Sequence, residues 1–151
     1  MRSLIVYLLL VIAVASIGTL VGPDAWYAAL SKPSWNPPGW IFGPVWSVLY
    51  LAIAIAGWRL WRATPHGPTR TVSLWLWSIQ LVLNAAWTPL FFGLHQPLWA
   101  LIDILSLVAI VAASFGWFRH CSPLAAWLFA PYLAWLLFAT ALNAAIVMLN
   151  G

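Results

Sequence analysis

Charged side chains are scarce in this 151-residue sequence, which has six basic and two acidic residues, 5% of the chain. A soluble domain carries about 25% charged residues, so this chain has too few to cover an ordinary water-facing surface. Apolar residues make up 65% of the sequence and form runs with few or no charges. Runs of roughly 20 such residues cross a bilayer as helices. The composition therefore excludes a soluble globular protein and predicts an integral membrane protein.

Reactive and metal-binding side chains are also few. The single cysteine, Cys121, excludes an intramolecular disulfide and gives no metal-ligand spacing. The three histidines fall in predicted loops, and the only acidic residues, Asp24 and Asp103, do not form a convincing acid/base pair. A coupled pump usually needs several buried ionisable groups, which this chain lacks. We therefore expect no metal site, no required cofactor and the binding of an apolar or amphipathic molecule.

Five apolar runs predict five membrane-spanning helices, over residues 4–22, 40–58, 71–94, 97–118 and 123–149. Proline, glycine and polar residues separate the runs, as is typical of turns. Each run must be helical because lipid offers no partner to free backbone amides. The predicted fold is one all-α domain, residues 1–151, a bundle of five transmembrane helices.

The first run has a second interpretation. Its basic start, apolar stretch and small residues at Ala13–Ser16 also resemble a secretory signal with a cleavage site. We favour a retained first helix, because the apolar run continues past that site to Val21.

The basic residues predict an orientation. Lys32 falls on one side of a five-span arrangement, and five arginines fall on the other, namely Arg2, Arg59, Arg62, Arg70 and Arg119. The side rich in arginine and lysine is normally cytoplasmic, so the N-terminus is predicted inside a bacterial cell membrane. An outer membrane remains an alternative. The basic residues form no cluster or stripe in the sequence, so we predict no nucleic-acid partner.

Polar and aromatic side chains recur at helical spacing within the predicted spans. In the third span Gln80, Asn84 and Thr88 are four residues apart, with Trp87 beside them, so they share one face. Faces of the other spans carry Trp46, Tyr50, Gly57, Trp99, Asp103, Ser106, Trp135, Ala139, Leu142 and Asn143. Chain direction places most of them in the middle or outer half of the bilayer, and such a grouping predicts a ligand cavity between helices.

Several of these residues have a structural alternative. Asn and Gln in membrane helices often only hydrogen-bond a neighbouring helix, and this interpretation applies to Gln80 and Asn84 beside a binding role. Asp103 is a functional candidate because a carboxylate inside a membrane is costly. It could instead reach the headgroups or pair with Lys32.

The segment "KPSWNPPGWIFGPVW" at Lys32–Trp46 stands directly above the predicted cavity. Its four prolines favour a stiff, extended backbone that need not be helical. Gly39 leaves one flexible point before the second helix. We interpret the segment as a lid and one wall of the pocket.

Segments over most of the chain resemble the translocator protein (TspO) family, also called the peripheral benzodiazepine receptor family. They are "WY" at Trp26–Tyr27, "KPSWNPPGWIFGPVWSVLY" at Lys32–Tyr50, "LNAAWTPLFFG" at Leu83–Gly93, "WALIDILS" at Trp99–Ser106 and "SPLAAWLFAPYLAWLLFATALN" at Ser122–Asn143. The resemblance implies a five-helix membrane protein, commonly a homodimer, with a pocket among the helices under the first loop. It also implies binding of tetrapyrroles such as protoporphyrin IX and haem, of isoquinoline or benzodiazepine-type drugs and, in eukaryotic members, of cholesterol.

The matching motifs also assign residues. The implied ligand-binding residues are Trp46, Tyr50, Asn84, Trp87, Trp99, Asp103, Trp135, Ala139 and Leu142, and the implied lid residues are Trp35, Asn36, Pro37 and Pro38. Some bacterial members are reported to degrade protoporphyrin in light through tryptophans that match Trp46 and Trp135. Plain packing is the alternative role for both.

One departure concerns sterols. In mammalian members a tyrosine and an arginine follow a leucine near the end of the fifth helix, whereas Ala144 follows Leu142–Asn143 here. This argues against tight cholesterol binding at that place. The predicted function is the binding of porphyrins and other hydrophobic ligands in their transport, sensing or disposal. The alternatives are a light-dependent porphyrin-degrading enzyme, or a regulatory membrane partner with an incidental cavity.

Overall fold

A computed structural model describes residues 2–151. This part of the chain forms six α-helices and no strand. Their bounds are α1 (Arg2–Leu20), α2 (Ala25–Ala29), α3 (Phe42–Ala63), α4 (Pro68–Thr88), α5 (Pro97–Cys121) and α6 (Pro123–Asn150). A 3₁₀ turn, Gly39–Ile41, leads into α3, and a π-helical turn, Pro89–Gly93, continues α4. The predicted all-α class is confirmed.

Four segments of residues 2–151 are long and apolar enough to cross a membrane. They are Ser3–Leu20, Gly39–Ala63, Pro97–Cys121 and Pro123–Asn150. The predicted span over residues 71–94 corresponds to α4 and the π-helical turn, and it is not among the four. Its buried polar side chains, such as Gln80 and Asn84, lower the mean hydropathy of this region. The protein is an integral membrane protein with several apolar helices, and the fifth span stays a prediction.

The five long helices close into a ring. Helix α1 packs against α3 and α4, α3 packs against α6, and α5 packs between α6 and α4. Their inward faces bury large apolar side chains, including Ile53, Leu107, Phe129 and Leu136. Many large apolar side chains on the outer faces are exposed, which is the arrangement that a lipid environment requires.

A close approach of three helices depends on one glycine. A Cβ atom at Gly57 of α3 would lie 2.6 Å from the Trp77 indole and 2.7 Å from the Tyr7 ring. The Trp77 indole is fixed there because its N–H donates to the Ile53 carbonyl at 2.9 Å. The Tyr7 and Trp77 rings meet edge to face, with centroids 5.1 Å apart. Glycine at position 57 therefore lets α1 and α4 pack directly on the backbone of α3.

The segment before α3 is more ordered than the sequence predicts. It contains the short helix α2, which the sequence analysis did not predict. The Asp24 carboxylate starts α2 by accepting a hydrogen bond from the Tyr27 N–H at 3.0 Å. The Lys32 ammonium ends it by donating to the Tyr27 and Leu30 carbonyls. A polar cap at each end makes a five-residue helix possible.

The two ends of the bundle differ in composition. The loop end comprises residues 21–41, residues 89–96 and the last turn of α6. The arginine end comprises the α3–α4 joint, residues 58–70, and the α5–α6 joint, residues 119–122. Helices α3 and α5 start at the loop end, whereas α4 and α6 start at the arginine end.

Candidate ligand-binding site

A chain of hydrogen bonds links three helices at the centre of the predicted site. The Tyr50 hydroxyl of α3 donates to Asn84 Oδ1 of α4 at 2.9 Å. The Asn84 amide in turn donates to the Tyr132 hydroxyl of α6 at 3.0 Å. Asn84 and Tyr132 are buried. Asn84 therefore joins three helices. These hydrogen bonds are stronger in the buried interior than they would be in water, because bulk solvent would compete for each polar group.

Aromatic rings surround this polar centre on the side facing the loop end. The Trp46 indole stacks on the Tyr50 ring, with centroids 5.1 Å apart and planes 30° apart. It also meets the Tyr132 ring edge to face at 6.3 Å. Trp46 lies one turn before Tyr50 on α3, so the helix itself brings the two rings together.

A second hydrogen-bonded bridge lies nearer the loop end. The Trp87 indole N–H donates to Asn143 Oδ1 at 3.1 Å, and the Asn143 amide donates to the Pro97 carbonyl at 2.9 Å. The Trp87 ring stacks on Phe91 of the π-helical turn, with centroids 4.9 Å apart. Buried Leu142 belongs to the same apolar cluster as Phe91. This bridge ties the end of α4 and the start of α5 to α6.

In the described part of the chain, two residues of the predicted ligand-binding set carry enclosed polar atoms that are unpaired, as does Asn36 of the predicted lid, at its Oδ1. Within residues 2–151, Asp103 Oδ2 and Trp135 Nε1 have no hydrogen-bond partner. The proposed Asp103–Lys32 pair is not formed, because the Lys32 ammonium instead caps α2 and lies over the Tyr27 ring. Buried polar atoms are nearly always paired, so these two call for a partner from outside the protein.

Trp135 stands between the interior and an open groove on the bundle surface. Its ring contacts Phe42 and Phe138, with centroids 5.7 and 5.4 Å away. The groove has a volume of about 610 Å³ and is lined by Pro44, Val45, Val48, Leu49, Pro131, Ala134, Trp135 and Phe138. These side chains belong to α3 and α6. Ala139, one turn further along α6, is partly buried against the main core.

Trp99 is the predicted site residue that the structure places apart. Its side chain is 59% exposed on the outer surface of α5. The other eight residues of the implied ligand-binding set are buried or partly buried and lie between the helices, whereas Ser106, which was predicted on the same face as Trp99, is also exposed. A binding role for the set stays a prediction.

Among the predicted lid residues Trp35–Pro38, Trp35 contacts α6, and Ser31, which precedes the lid segment, is bonded to α6 through its backbone. The Trp35 ring meets Phe138 of α6 edge to face at 5.8 Å. The Asn36 N–H donates to the Pro33 carbonyl at 2.9 Å, which closes a turn, and the Asn36 amide donates to the Pro37 carbonyl at 3.1 Å. Pro38 is exposed and precedes the 3₁₀ turn.

The side chain of Asn150 joins Ser31, directly before the predicted lid, to the end of α6. Asn150 Oδ1 accepts from the Ser31 N–H, and its Nδ2 donates to the Ser31 carbonyl, both at 2.9 Å. This pairing resembles one rung of a β-ladder, with a side-chain amide in place of a strand. We call it the Ser31–Asn150 tie.

A second tie joins α2 to the turn between α4 and α5. His95 Nε2 lies 3.0 Å from Asp24 Oδ2, and the His95 ring stacks on Trp26 with centroids 4.3 Å apart. His95 has a φ of 53°, a left-handed conformation that is uncommon for a residue other than glycine. The Tyr27 N–H, and to a smaller extent His95, holds the pKa of the Asp24 carboxyl below its usual value.

Sequence reasoning missed Tyr132, which is central to the hydrogen-bonded chain. A signal was present, because Tyr132 is 7 residues before Ala139 and 11 before Asn143, both spacings that return to the same helical face. Asn150 was missed because its partner, Ser31, is remote in sequence. No local pattern could have identified that pair.

The fold and this site together define a class: an integral membrane helical bundle whose interior holds a polar centre with aromatic walls, and whose first loop is rich in proline and tryptophan. The family model described as TspO/MBR family matches residues 4–149. The protein therefore belongs to the TspO/MBR family, which confirms the resemblance found in the sequence.

Individual relatives agree with this assignment. The chain is 47% identical to the human translocator protein over 119 residues, 78% of this chain and 70% of the relative. It is 39% identical to the tryptophan-rich protein TspO of Archaeoglobus fulgidus over 152 residues, which covers 99% and 97% of the two chains. It is also 38% identical to a tryptophan-rich sensory protein of Cereibacter sphaeroides, over 91% of this chain and 85% of that one.

Proposed function

We propose that this protein binds tetrapyrroles such as protoporphyrin IX and haem, and other hydrophobic ligands, within the membrane. The observation that carries the proposal is the stack of Trp46 on Tyr50 directly beside the hydrogen-bonded Asn84. Aromatic faces attract a flat apolar ring in an offset stack. The amide and the two tyrosine hydroxyls supply both donors and acceptors for the polar edge of such a ligand.

The enclosed, unpaired atoms support the same proposal. Asp103 Oδ2 is an acceptor suited to a pyrrole N–H, and the Trp135 N–H is a donor suited to a carboxylate or carbonyl. A ligand that reached both atoms would satisfy groups that residues 2–151 leave unpaired. Sterols and isoquinoline or benzodiazepine-type drugs share the apolar character but have fewer polar groups, so we expect tetrapyrroles to use this site most fully.

The route of entry follows from the packing. Because Tyr50, Asn84 and Tyr132 contact one another directly, a ligand must displace some of these contacts. The entry routes that we propose are the lid over residues 32–38 and the open groove beside Trp135. Trp35 contacts Phe138, which also lines the groove, so movement of the lid and access from the bilayer are coupled.

The setting of this function is a five-span protein in a bacterial cell membrane, with α4 as the fifth span and the arginine end in the cytoplasm. A homodimer is the proposed assembly. The relatives from Homo sapiens and Cereibacter sphaeroides are named a translocator protein and a sensory protein. Those names fit the transport or sensing of a bound porphyrin, and disposal is the third role we propose.

Titration of the purified protein in detergent with protoporphyrin IX tests the proposal, with tryptophan fluorescence as the readout. We expect saturable quenching, and Trp46→Phe or Trp135→Phe should weaken binding by about two- to tenfold, as loss of one aromatic contact would. Trp127→Phe is the matched control, because Trp127 is exposed on α6 at the arginine end. A titration without saturation in the unaltered protein would contradict the proposal.

Light-dependent breakdown of the bound porphyrin is a second candidate function. It is favoured by the direct stacking of Trp46 on Tyr50, since two oxidisable rings in contact can share an electron hole. Illumination with dissolved oxygen as the oxidant should then remove the porphyrin absorption band at a rate that saturates with porphyrin. A rate equal to that of free tryptophan in the same detergent would reject catalysis and leave the binding proposal intact.

A further inference from the structure

Three arginines lie at the α3–α4 joint within residues 59–70, and we call them the arginine cluster. Arg59 and Arg62 lie in the last turns of α3, and Arg70, from the first turn of α4, reaches back to the end of α3. The Arg62 guanidinium lies over the Trp58 ring at 5.3 Å. This end of the bundle therefore carries three positive charges that are at most 11 residues apart in the sequence.

No acidic side chain balances these charges. The sequence has two acidic residues, Asp24 and Asp103. Asp24 pairs with His95 at the loop end, and Asp103 lies in the second turn of α5, which starts at that end. Within residues 2–151 the enclosed Nε of Arg59 has no hydrogen-bond partner. An anion from outside the chain could therefore bind to the cluster without competing with a carboxylate of the protein.

Arg70 is held in place with donors to spare. Its Nε and Nη2 donate to the Thr64 carbonyl, at 3.0 and 2.5 Å, and its Nη1 lies 3.1 Å from the His66 ring. A guanidinium carries five N–H donors, so two remain for another acceptor. The Cζ atom of Arg70 lies 4.8 Å from the centre of the Trp61 ring. The guanidinium is thus pre-positioned, with little entropy left to lose on binding.

An open apolar groove begins at the same tryptophan. It has a volume of about 310 Å³ and is lined by Ser3, Val6, Tyr7, Leu10, Trp61, Leu74, Trp77 and Ser78. Helix α1, which forms one wall, is apolar enough to cross the membrane. Because Arg70 lies over Trp61, a fixed cation stands at one end of a groove that faces the hydrocarbon.

We propose that the Arg59–Arg62–Arg70 cluster binds the phosphate headgroup of an anionic phospholipid, and that one acyl chain of this lipid lies in the groove at Trp61. Basic pockets at the ends of membrane helices bind such headgroups by charge and hydrogen bonding. A second copy of this chain fits less well, because both copies would present the same unbalanced arginine end to each other. The site lies at the opposite end of the bundle from the proposed lid.

Native mass spectrometry of the detergent-purified protein tests this, with phosphatidylglycerol and phosphatidylcholine of identical acyl chains as probes. We expect bound phosphatidylglycerol at several times the occupancy of phosphatidylcholine. Arg62→Gln and Arg70→Gln should each weaken that binding by about fivefold. Arg119→Gln is the matched control, because it removes the same charge at the neighbouring joint, and it should bind as the unaltered protein does.

Further tests distinguish binding of the acyl chain in the groove from binding of the headgroup alone and from burial of the groove by a protein partner. Leu74→Trp fills the groove without changing charge and should also reduce phosphatidylglycerol binding, which keeps the test valid if Arg70→Gln fails to fold.

Equal binding of the two lipids, or equal loss in Arg119→Gln, would overturn the proposal. Competition by inorganic phosphate that is as strong as competition by the lipid would show a phosphate site without an acyl chain. A shift of Leu74→Trp from dimer to monomer, with no lipid bound to either protein, would show that a second copy covers the groove.

Discussion

The contacts within the loop end join residues that are far apart in the sequence, whereas those within the arginine end join residues that are close in the sequence. At the loop end Ser31 pairs with Asn150, 119 residues later, and Asp24 pairs with His95, 71 residues later. At the arginine end Arg70 binds a carbonyl six residues earlier, and Arg62 packs on a ring four residues earlier. The first end is closed by tertiary contacts, and the second is shaped by its own local sequence.

This difference indicates where the molecule can change shape. Breaking a few long-range hydrogen bonds would release the lid while the helices stay intact, because each bond contributes only about 1 kcal/mol. The arginine end keeps its geometry through helix caps and cation–aromatic contacts, none of which involves the lid residues. Ligand exchange is therefore expected at the loop end, and steady contact with the lipid headgroups at the arginine end.

The largest effect is expected from Gly57→Ala, which disrupts the packing toward the arginine end. The new methyl group would meet the Trp77 indole, which its hydrogen bond to Ile53 prevents from moving away. The unfolding free energy should fall by about 3 kcal/mol. Thermal unfolding in detergent measures this. Gly43→Ala is the matched control at the loop end, since a Cβ there meets no atom within 4 Å, and comparable losses in both variants would refute the packing argument.

The polar centre between the two ends should respond next. Asn84→Leu leaves the Tyr132 hydroxyl buried without its donor and should cost about 2 kcal/mol. The same substitution should cost less when Tyr50 and Tyr132 are both phenylalanine, because no hydroxyl is then left unpaired. Thermal unfolding of the four proteins gives the coupling directly. An equal cost in both backgrounds would mean that the hydrogen-bonded chain does not stabilise the bundle.

Asn150→Ala isolates the loop end. It removes both hydrogen bonds of the Ser31–Asn150 tie, and water can replace them at this exposed place, so we expect a loss of about 1 kcal/mol. Amide hydrogen exchange should accelerate over residues 31–38 and stay unchanged over residues 59–70. Ser47→Ala serves as the control, because that hydroxyl bonds only to its own helix, at Gly43. Faster exchange at both ends would contradict the separation of the two regions.

Acid should have the smallest effect, and only at the loop end. The pKa of Asp24 is lowered in the folded protein, chiefly by the Tyr27 N–H, so its contribution to stability is present above the ordinary carboxyl pKa. That contribution is lost as the pH falls through the lowered value. Protection of the α2 amides, relative to unfolded peptides at the same pH, should decline below about pH 4.

Asp24→Asn should abolish the acid-dependent part of this decline, since the amide keeps an oxygen for the cap but cannot titrate. Protection over residues 59–70 should not change in either protein. A decline of the same size in Asp24→Asn would assign the effect to another group.

Sequence patterns anticipated the interior better than the ends. Tyr50, Asn84 and Trp87 were predicted from helical spacing and polarity, because a polar side chain in lipid must turn inward. Trp99 matched a family motif, yet its side chain faces outward, since an indole is as acceptable near the lipid interface as within a pocket. Residue type alone could not distinguish the two environments.

The remaining features depended on distances that no local pattern encodes. Helix α2 exists because Asp24 and Lys32 cap a single turn and a half, a combination that the proline-rich surroundings conceal. Arg70 lies at the end of α3 because its guanidinium turns back and donates to the Thr64 carbonyl. Both arise from side chains that satisfy backbone groups, and a hydropathy profile cannot reveal such contacts.

The Ser31–Asn150 tie has a consequence for the biosynthesis of the protein. Ser31 leaves the ribosome 119 residues before its partner, and chains grow at about 5 to 20 residues per second. The Ser31–Asn150 tie therefore cannot form until about 6 to 24 s after Ser31 has been synthesised, when α6 is complete. During that interval the backbone of Ser31 is not bonded to α6.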